Sequence, residues 1–292
     1  LSSPKWETIV SYRPDREIRK RIVKHGDYNL VPYEDSRCKI ILSDVKCTSG
    51  EEDRQIESES RIFSSSFAGN VLIGDNDSFI DKDFELILQQ MCCGEVCTAK
   101  IVYKDSTESL VKEISCTIEL KEVTEEQLIS DWSWQRLHEA AIHHKECGVQ
   151  LFKEKRITDA FRRFSKSFKM LVAIEPIDPE AIEESSVREI IDLKVKLYNN
   201  LAHCQLLFNQ YEAALELCNR ALKYDSDNIK ALYRRCIAYT SLKQLEDAWN
   251  DIQHVLKLDP NDKAAQQKAI ALQPHIKQIN KDYKNVIKKM FG

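Results

Sequence analysis

The sequence predicts two architectures in one chain: an α+β N-terminal domain, an antiparallel sheet around one helix, followed by an all-α repeat solenoid. Three observations carry this. Short β-rich runs alternate with polar loops as far as Thr124. One helical pattern, Phe79 to Met91, interrupts them. Beyond Thr124 the apolar spacing is helical, and two segments match each other at an offset of 34 residues. At ~100–200 residues per domain, two domains are expected; the boundaries fall at 1–124 and 130–292.

The expected strands are Arg37 to Val45, Asn70 to Ile73, Cys97 to Tyr103 and Leu110 to Val123. In Ile114-Ser115-Cys116-Thr117-Ile118-Glu119-Leu120, apolar and polar residues alternate at period two, which marks a half-buried strand. The helix carries Phe79, Ile80, Phe84, Ile87, Leu88 and Met91 at helical spacing, and Gly94 is its stop. Strands gathered around one helix imply an α+β domain on an antiparallel sheet. The acidic, serine-rich stretch Ser49 to Ser60 reads as a solvated loop.

In the second half, Ala202 maps onto Cys236, Ala214 onto Ala248 and Ala221 onto Val255. Small residues fall where two helices of a hairpin touch. An earlier copy begins near Ala141, with Gly148, Ala160 and Phe164 as its markers, 54 residues before the second. The additional ~20 residues lengthen the helices or the loop joining them, and the stretch Pro176 to Ser186 is where they fall. This is the tetratricopeptide period and pattern. Three repeats, from about 141, 195 and 229, make a short solenoid with a concave groove. The last segment, Lys263 to Phe291, reads as one long polar helix, broken or bent at Pro274, that caps the last repeat. A calmodulin-type target helix is the other reading of its basic amphipathic face.

Composition excludes several functions. Lys plus Arg number 43 against 47 Asp plus Glu, a net charge of -4, so no general attraction to nucleic acid or anionic membrane is expected. No run approaches the ~20 apolar residues of a membrane helix, and no signal-peptide pattern is read. Ten scattered cysteines read as buried thiols of the reducing cytoplasm or nucleus. Cys92-Cys93 with Cys97, and His143-His144, lack the paired spacing of a structural zinc site, so no metal and no cofactor is expected.

The chain resembles the large FK506-binding immunophilins. The resemblance is carried by Tyr198-Asn199-Asn200-Leu201-Ala202-His203-Cys204 and Ala231-Leu232-Tyr233-Arg234-Arg235 in the repeats. In the N-terminal half it is carried by the strand Arg37 to Leu42, by Phe63-Ser64-Ser65-Ser66, and by the helix ending Gln90-Met91 before Gly94. Active members isomerise X-Pro bonds, whose uncatalysed barrier is ~18–20 kcal/mol, in an aromatic pocket. Carried over by position, that pocket is degenerate here. Leu42 stands at the strand tyrosine, Phe63 is kept, Ser64 replaces the aspartate, and Phe84 replaces the floor tryptophan. The loop between Tyr103 and Leu110 is short and lacks the tyrosine segment. The resemblance therefore implies no catalytic residue and no isomerase activity, with an active isomerase co-chaperone as the alternative.

In tetratricopeptide co-chaperones the groove grips the acidic Met-Glu-Glu-Val-Asp tail of the ninety-kilodalton heat-shock chaperone. The clamp positions Lys, Asn, Asn, Lys and Arg map onto Lys145, Val149, Asn200, Lys230 and Arg234. Cations and amides converging on one surface suit a terminal carboxylate and an Asp side chain. Val149 removes one amide. The expected protein is thus a non-catalytic adaptor or co-chaperone, bringing that chaperone or a protein kinase client, for instance a casein-kinase-I-type clock kinase, into contact.

Overall fold

The computed structural model describes residues 7–49, 60, 62–63, 66–105, 109–124, 129–178 and 180–291. The chain divides into two units, Leu1–Gln127 and Leu128–Gly292.

The first unit is a six-stranded antiparallel sheet: β1 (Glu7–Arg13), β2 (Arg16–Lys24), β3 (Arg37–Ser49), β4 (Phe67–Leu72), β5 (Val96–Lys104) and β6 (Leu110–Thr124). The spatial order is β1-β2-β5-β6-β3-β4. Helix α1 (Phe79–Leu88) packs on it. The alternation read along β6 appears as buried Ile114, Cys116, Ile118 and Leu120, and cross-strand register sets Leu42 opposite Ile118. Ile80, Phe84, Ile87 and Leu88 recur at helical spacing and are fully enclosed against Ile18, Ile40, Leu42 and Ile101. The helix ends before Met91, and Gly94 takes φ 81°, a conformation that suits glycine.

The hairpin β1–β2 is an addition to the strands read from sequence. Its second strand hides its period because Lys20 occupies a core-facing position between Ile18 and Ile22. Lys20 is 5% exposed. Its ammonium pairs with Glu95 at 2.9 Å and also donates to the Gln90 carbonyl. Glu95 in turn accepts from the Cys92 backbone N–H at 3.1 Å. Each buried charge is therefore paired and hydrogen-bonded, the condition for burial.

The second unit is helical: α2 (Trp134–Lys153), α3 (Ile157–Ala173), α4 (Glu184–Leu207), α5 (Tyr211–Tyr224), α6 (Ile229–Ser241), α7 (Leu245–Leu258) and α8 (Lys263–Phe291). Successive helices pack as pairs α2/α3, α4/α5 and α6/α7, with α8 on α7. The marker residues Ala160, Ala202, Ala214, Cys236 and Ala248 are completely buried. Lys155, Asn209 and Lys243 take positive φ of 63°, 59° and 62° in the turn inside each pair. The turn residues are therefore spaced as the sequence markers are, 54 and then 34 apart.

The added length of the first repeat lies mostly in a helix. Helix α4 has 24 residues against 13 in α6, and α3 has 17 against 14 in α7. Residues 176–186 supply only the connection and the first residues of α4. Helix α8 is continuous through Pro274. Its first turns bury Ala265, Ala269 and Leu272 against α7, whereas Tyr283, Val286, Ile287 and Met290 are exposed. Among the described residues no helix is long and apolar enough to cross a membrane.

Gly148 is required by packing. A Cβ there would lie 2.6 Å from the Phe164 ring. Gly148→Ala is expected to cost about 1–3 kcal/mol through overpacking, read as a lower unfolding midpoint of the helical unit; an unchanged midpoint would show that Phe164 yields freely.

Candidate functional site

Helices α2, α4 and α6 contribute most of the lining of one cavity of about 220 Å³. Its walls are Val149, Phe152 and Lys153 from α2, Phe164 from α3, Asn200 and His203 from α4, and Arg234 from α6. Three of the five clamp positions, Val149, Asn200 and Arg234, thus meet at one concavity. Lys145 and Lys230 lie one turn before Val149 and Arg234 on the same helices, outside that lining. Lys145 is half-buried, its ammonium 3.6 Å from Glu146, and Lys230 is exposed.

Arg234 is held rigidly. One guanidinium nitrogen donates to Asn199 Oδ1 at 3.2 Å, the other to His203 Nδ1 at 3.4 Å. Asn199 is 4% exposed, and its amide nitrogen donates to the Val195 carbonyl and to Asn228 Oδ1 at 3.2 and 3.1 Å. Asn228 caps α6, since its Oδ1 also accepts from the Ala231 N–H at 3.0 Å. With both amide donors committed, Asn199 must present its oxygen to the guanidinium. The cap of α6 and the cation six residues later, nearly two turns on, are therefore joined through α4.

Burial lowers the Arg234 pKa from its ordinary value, yet a guanidinium is so strongly basic that it keeps its charge at neutral pH. The His203 pKa is lowered first by burial and then by the guanidinium, so the ring is neutral. The imidazole packs on Phe152, ring centroids 4.8 Å apart. Burial pushes the adjacent Cys204 and Cys218 thiols up to about 12, which leaves Arg234 without an anionic neighbour there. The site can therefore offer one fixed cation, one amide and an apolar wall. Asn199, Phe152, Lys153 and His203 were not picked out from sequence. Asn199 and His203 lie within the motif Tyr198 to Cys204, but residue type alone assigned them no role.

In the first unit, Leu42 and Phe84 are 0% exposed and Phe63 1%. The two phenylalanine rings meet edge to face, centroids 5.1 Å apart. These three side chains fill the core between helix and sheet. Ser64 lies outside the described residues, as do residues 106–108 of the Tyr103–Leu110 loop and residues 50–59 of the acidic stretch. Tyr103 donates to Asp83 Oδ2 at 3.0 Å, and Arg16 pairs with the same oxygen at 3.1 Å. Burial, the largest influence, raises the Asp83 pKa against both partners.

Three of the cysteines and histidines weighed as ligands have contacts of their own. Cys97 Sγ lies 3.6 Å from Met91 Sδ, and Cys93 Sγ lies 3.6 Å from the Lys121 carbonyl. His144 Nδ1 meets Arg163 at 3.0 Å.

The chain carries an FKBP-like N-terminal domain followed by tetratricopeptide repeats: residues 12–125 match the family described as BDBT FKBP like N-terminal, and residues 198–272 match the tetratricopeptide repeat. It is similar to FK506-binding protein 59 of Drosophila melanogaster, at 27% identity over 298 residues, covering 97% of this chain and 62% of that protein. It is also similar to the human peptidyl-prolyl cis-trans isomerase FKBP4, at 31% identity over 163 residues, covering 54% of this chain and 34% of that one. The chain thus spans less than two thirds of the length of either relative. Among solved structures, that of residues 1-211 of CG17282 shares the fold, with a TM-score of 0.50 at 22% identity over 67% of this chain and 91% of that one.

Proposed function

We propose that this protein is a non-catalytic adaptor or co-chaperone whose repeat groove binds an acidic C-terminal segment of a partner protein. The observation that carries the reading is the Arg234–Asn199–Asn228 chain, which holds a cation at the wall of a concavity also lined by Asn200 and Lys153. A preoriented guanidinium loses little freedom when it meets a carboxylate, and charge-assisted hydrogen bonds supply the grip. The chain end of the ninety-kilodalton heat-shock chaperone has the required chemistry, as would an acidic tail on a kinase client, including one of the casein-kinase-I type. Lys145 and Lys230, on the same helix faces, would meet the more distal acidic side chains of such a peptide. The cytoplasm, with a nuclear fraction, is the setting this reading implies for a chain with ten free thiols.

The same reading holds that the FKBP-like domain does not isomerise proline bonds. Supporting it, Leu42, Phe63 and Phe84 pack against one another and the core rather than around an open cleft. Groups that act as a unit in a catalytic pocket lose most of their effect together. A protease-coupled proline-peptide assay should show no acceleration; a rate near that of an active immunophilin would refute this half of the reading.

The groove is tested by calorimetric titration with the pentapeptide Met-Glu-Glu-Val-Asp. Wild type is expected to bind, and Arg234→Ala to lose about 1.5–3 kcal/mol, the range for a hydrogen bond to a charged group. Val149→Asn, which adds an amide to the wall, is expected to bind more tightly. If neither wild type nor Val149→Asn binds, the acidic-tail reading is wrong.

A further inference from the structure

Besides the Lys153 ammonium, the wall of the groove contains a hydrogen-bond donor that the clamp positions do not include. An arginine side chain only donates, so the 3.4 Å contact from Arg234 requires His203 Nδ1 to accept. The ring is neutral, because burial and the guanidinium both disfavour its protonation. Its one proton therefore sits on Nε2. Nε2 has no partner among the described residues, and it is not a sealed polar atom: among those residues the buried side-chain nitrogen or oxygen left without a partner is Arg16 Nε. Nε2 thus opens onto space, and the ring lines the cavity. On the same wall Val149, Phe152 and Phe164 present only carbon. Beside those carbon surfaces, the imidazole is the donor next to Arg234 that could meet the oxygens of a peptide end seated against Arg234 and Asn200, with the Lys153 ammonium the other donor of the lining, and an unmatched buried oxygen is costly.

We propose that His203 binds the groove's ligand directly, as a neutral Nε2–H donor to a carboxylate or backbone carbonyl oxygen of an acidic C-terminal peptide. The proposal rests on the groove reading above and adds to it a contact residue and a defined tautomer. Two supports preorganise the donor. Phe152 packs against the ring and fixes its plane, while Asn199 holds Arg234 from the far side, so that Nδ1 stays occupied. The donor is thereby aimed before the ligand arrives, and no side-chain freedom is lost in aiming it.

Two substitutions separate the ring's two ends. In His203→Asn, the side-chain oxygen can take over from Nδ1 as acceptor for Arg234, but the distal donor is gone. In His203→Gln, the longer side chain carries an amide N–H toward the position of Nε2. Titrated at neutral pH with Met-Glu-Glu-Val-Asp, His203→Asn should bind about tenfold more weakly than wild type, and His203→Gln within about threefold of it. Wild-type affinity in His203→Asn would overturn the proposal while leaving the groove reading intact. Absence of binding by wild type would overturn the groove reading, and this proposal with it. Nitrogen NMR of the free wild-type protein is independent of peptide and of whether the variants fold. It should find His203 protonated on Nε2 and bare on Nδ1, and a proton on Nδ1 would overturn the proposal.

Discussion

Lys20→Met is expected to destabilise the sheet domain by about 3–5 kcal/mol, the cost of removing one partner from a buried ion pair. Lys20 and Glu95 are 5% and 1% exposed, so the carboxylate left behind would have no cation and no water to replace it. The Gln90 carbonyl would lose its donor as well. Adding Glu95→Gln to Lys20→Met should recover much of the loss. It removes the stranded charge and keeps an oxygen to accept from the Cys92 N–H. Denaturant unfolding of the three proteins measures this. A loss below ~1 kcal/mol for the single variant would mean that the pair is solvated as surface pairs are.

Phe84→Ala should cost about 3–5 kcal/mol by leaving a cavity in a close-packed core. The ring is fully enclosed, set edge-on to Phe63 and between the helix and β3. The magnitude discriminates between two roles for this position. A core ring, surrounded on all sides, loses both its transfer free energy and its packing contacts. A ring at the floor of an open pocket already faces solvent and would cost far less. Phe84→Leu, which refills much of the volume, should recover most of the loss in the same unfolding measurement.

The repeats could be read from sequence because their physics repeats. Helix pairs approach closely only where side chains are small, so Ala202, Ala214, Cys236 and Ala248 recur at a fixed offset. The same constraint set Gly148 and Ala160 in the first copy despite its added length. In the sheet domain, β6 could be read because one face is buried and the other is not. Strand β2 could not: its core-facing position 20 holds a lysine, and nothing local announces that Glu95, 75 residues on, will neutralise it.

The groove divides in the same way. Val149, Asn200 and Arg234 were picked out by the resemblance to the tetratricopeptide co-chaperones, carried over position by position, and all three line the cavity. Which of their neighbours join them was decided by packing. Asn199 and Asn200 are the same residue type side by side, but consecutive residues on a helix point about 100° apart. That rotation turns Asn199 inward to hold Arg234 and leaves Asn200 facing the cavity. It likewise sets His203, one turn beyond Asn200, on the cavity wall. The choice depends on how α4 lies against α6, a long-range contact that a residue's type and spacing do not encode.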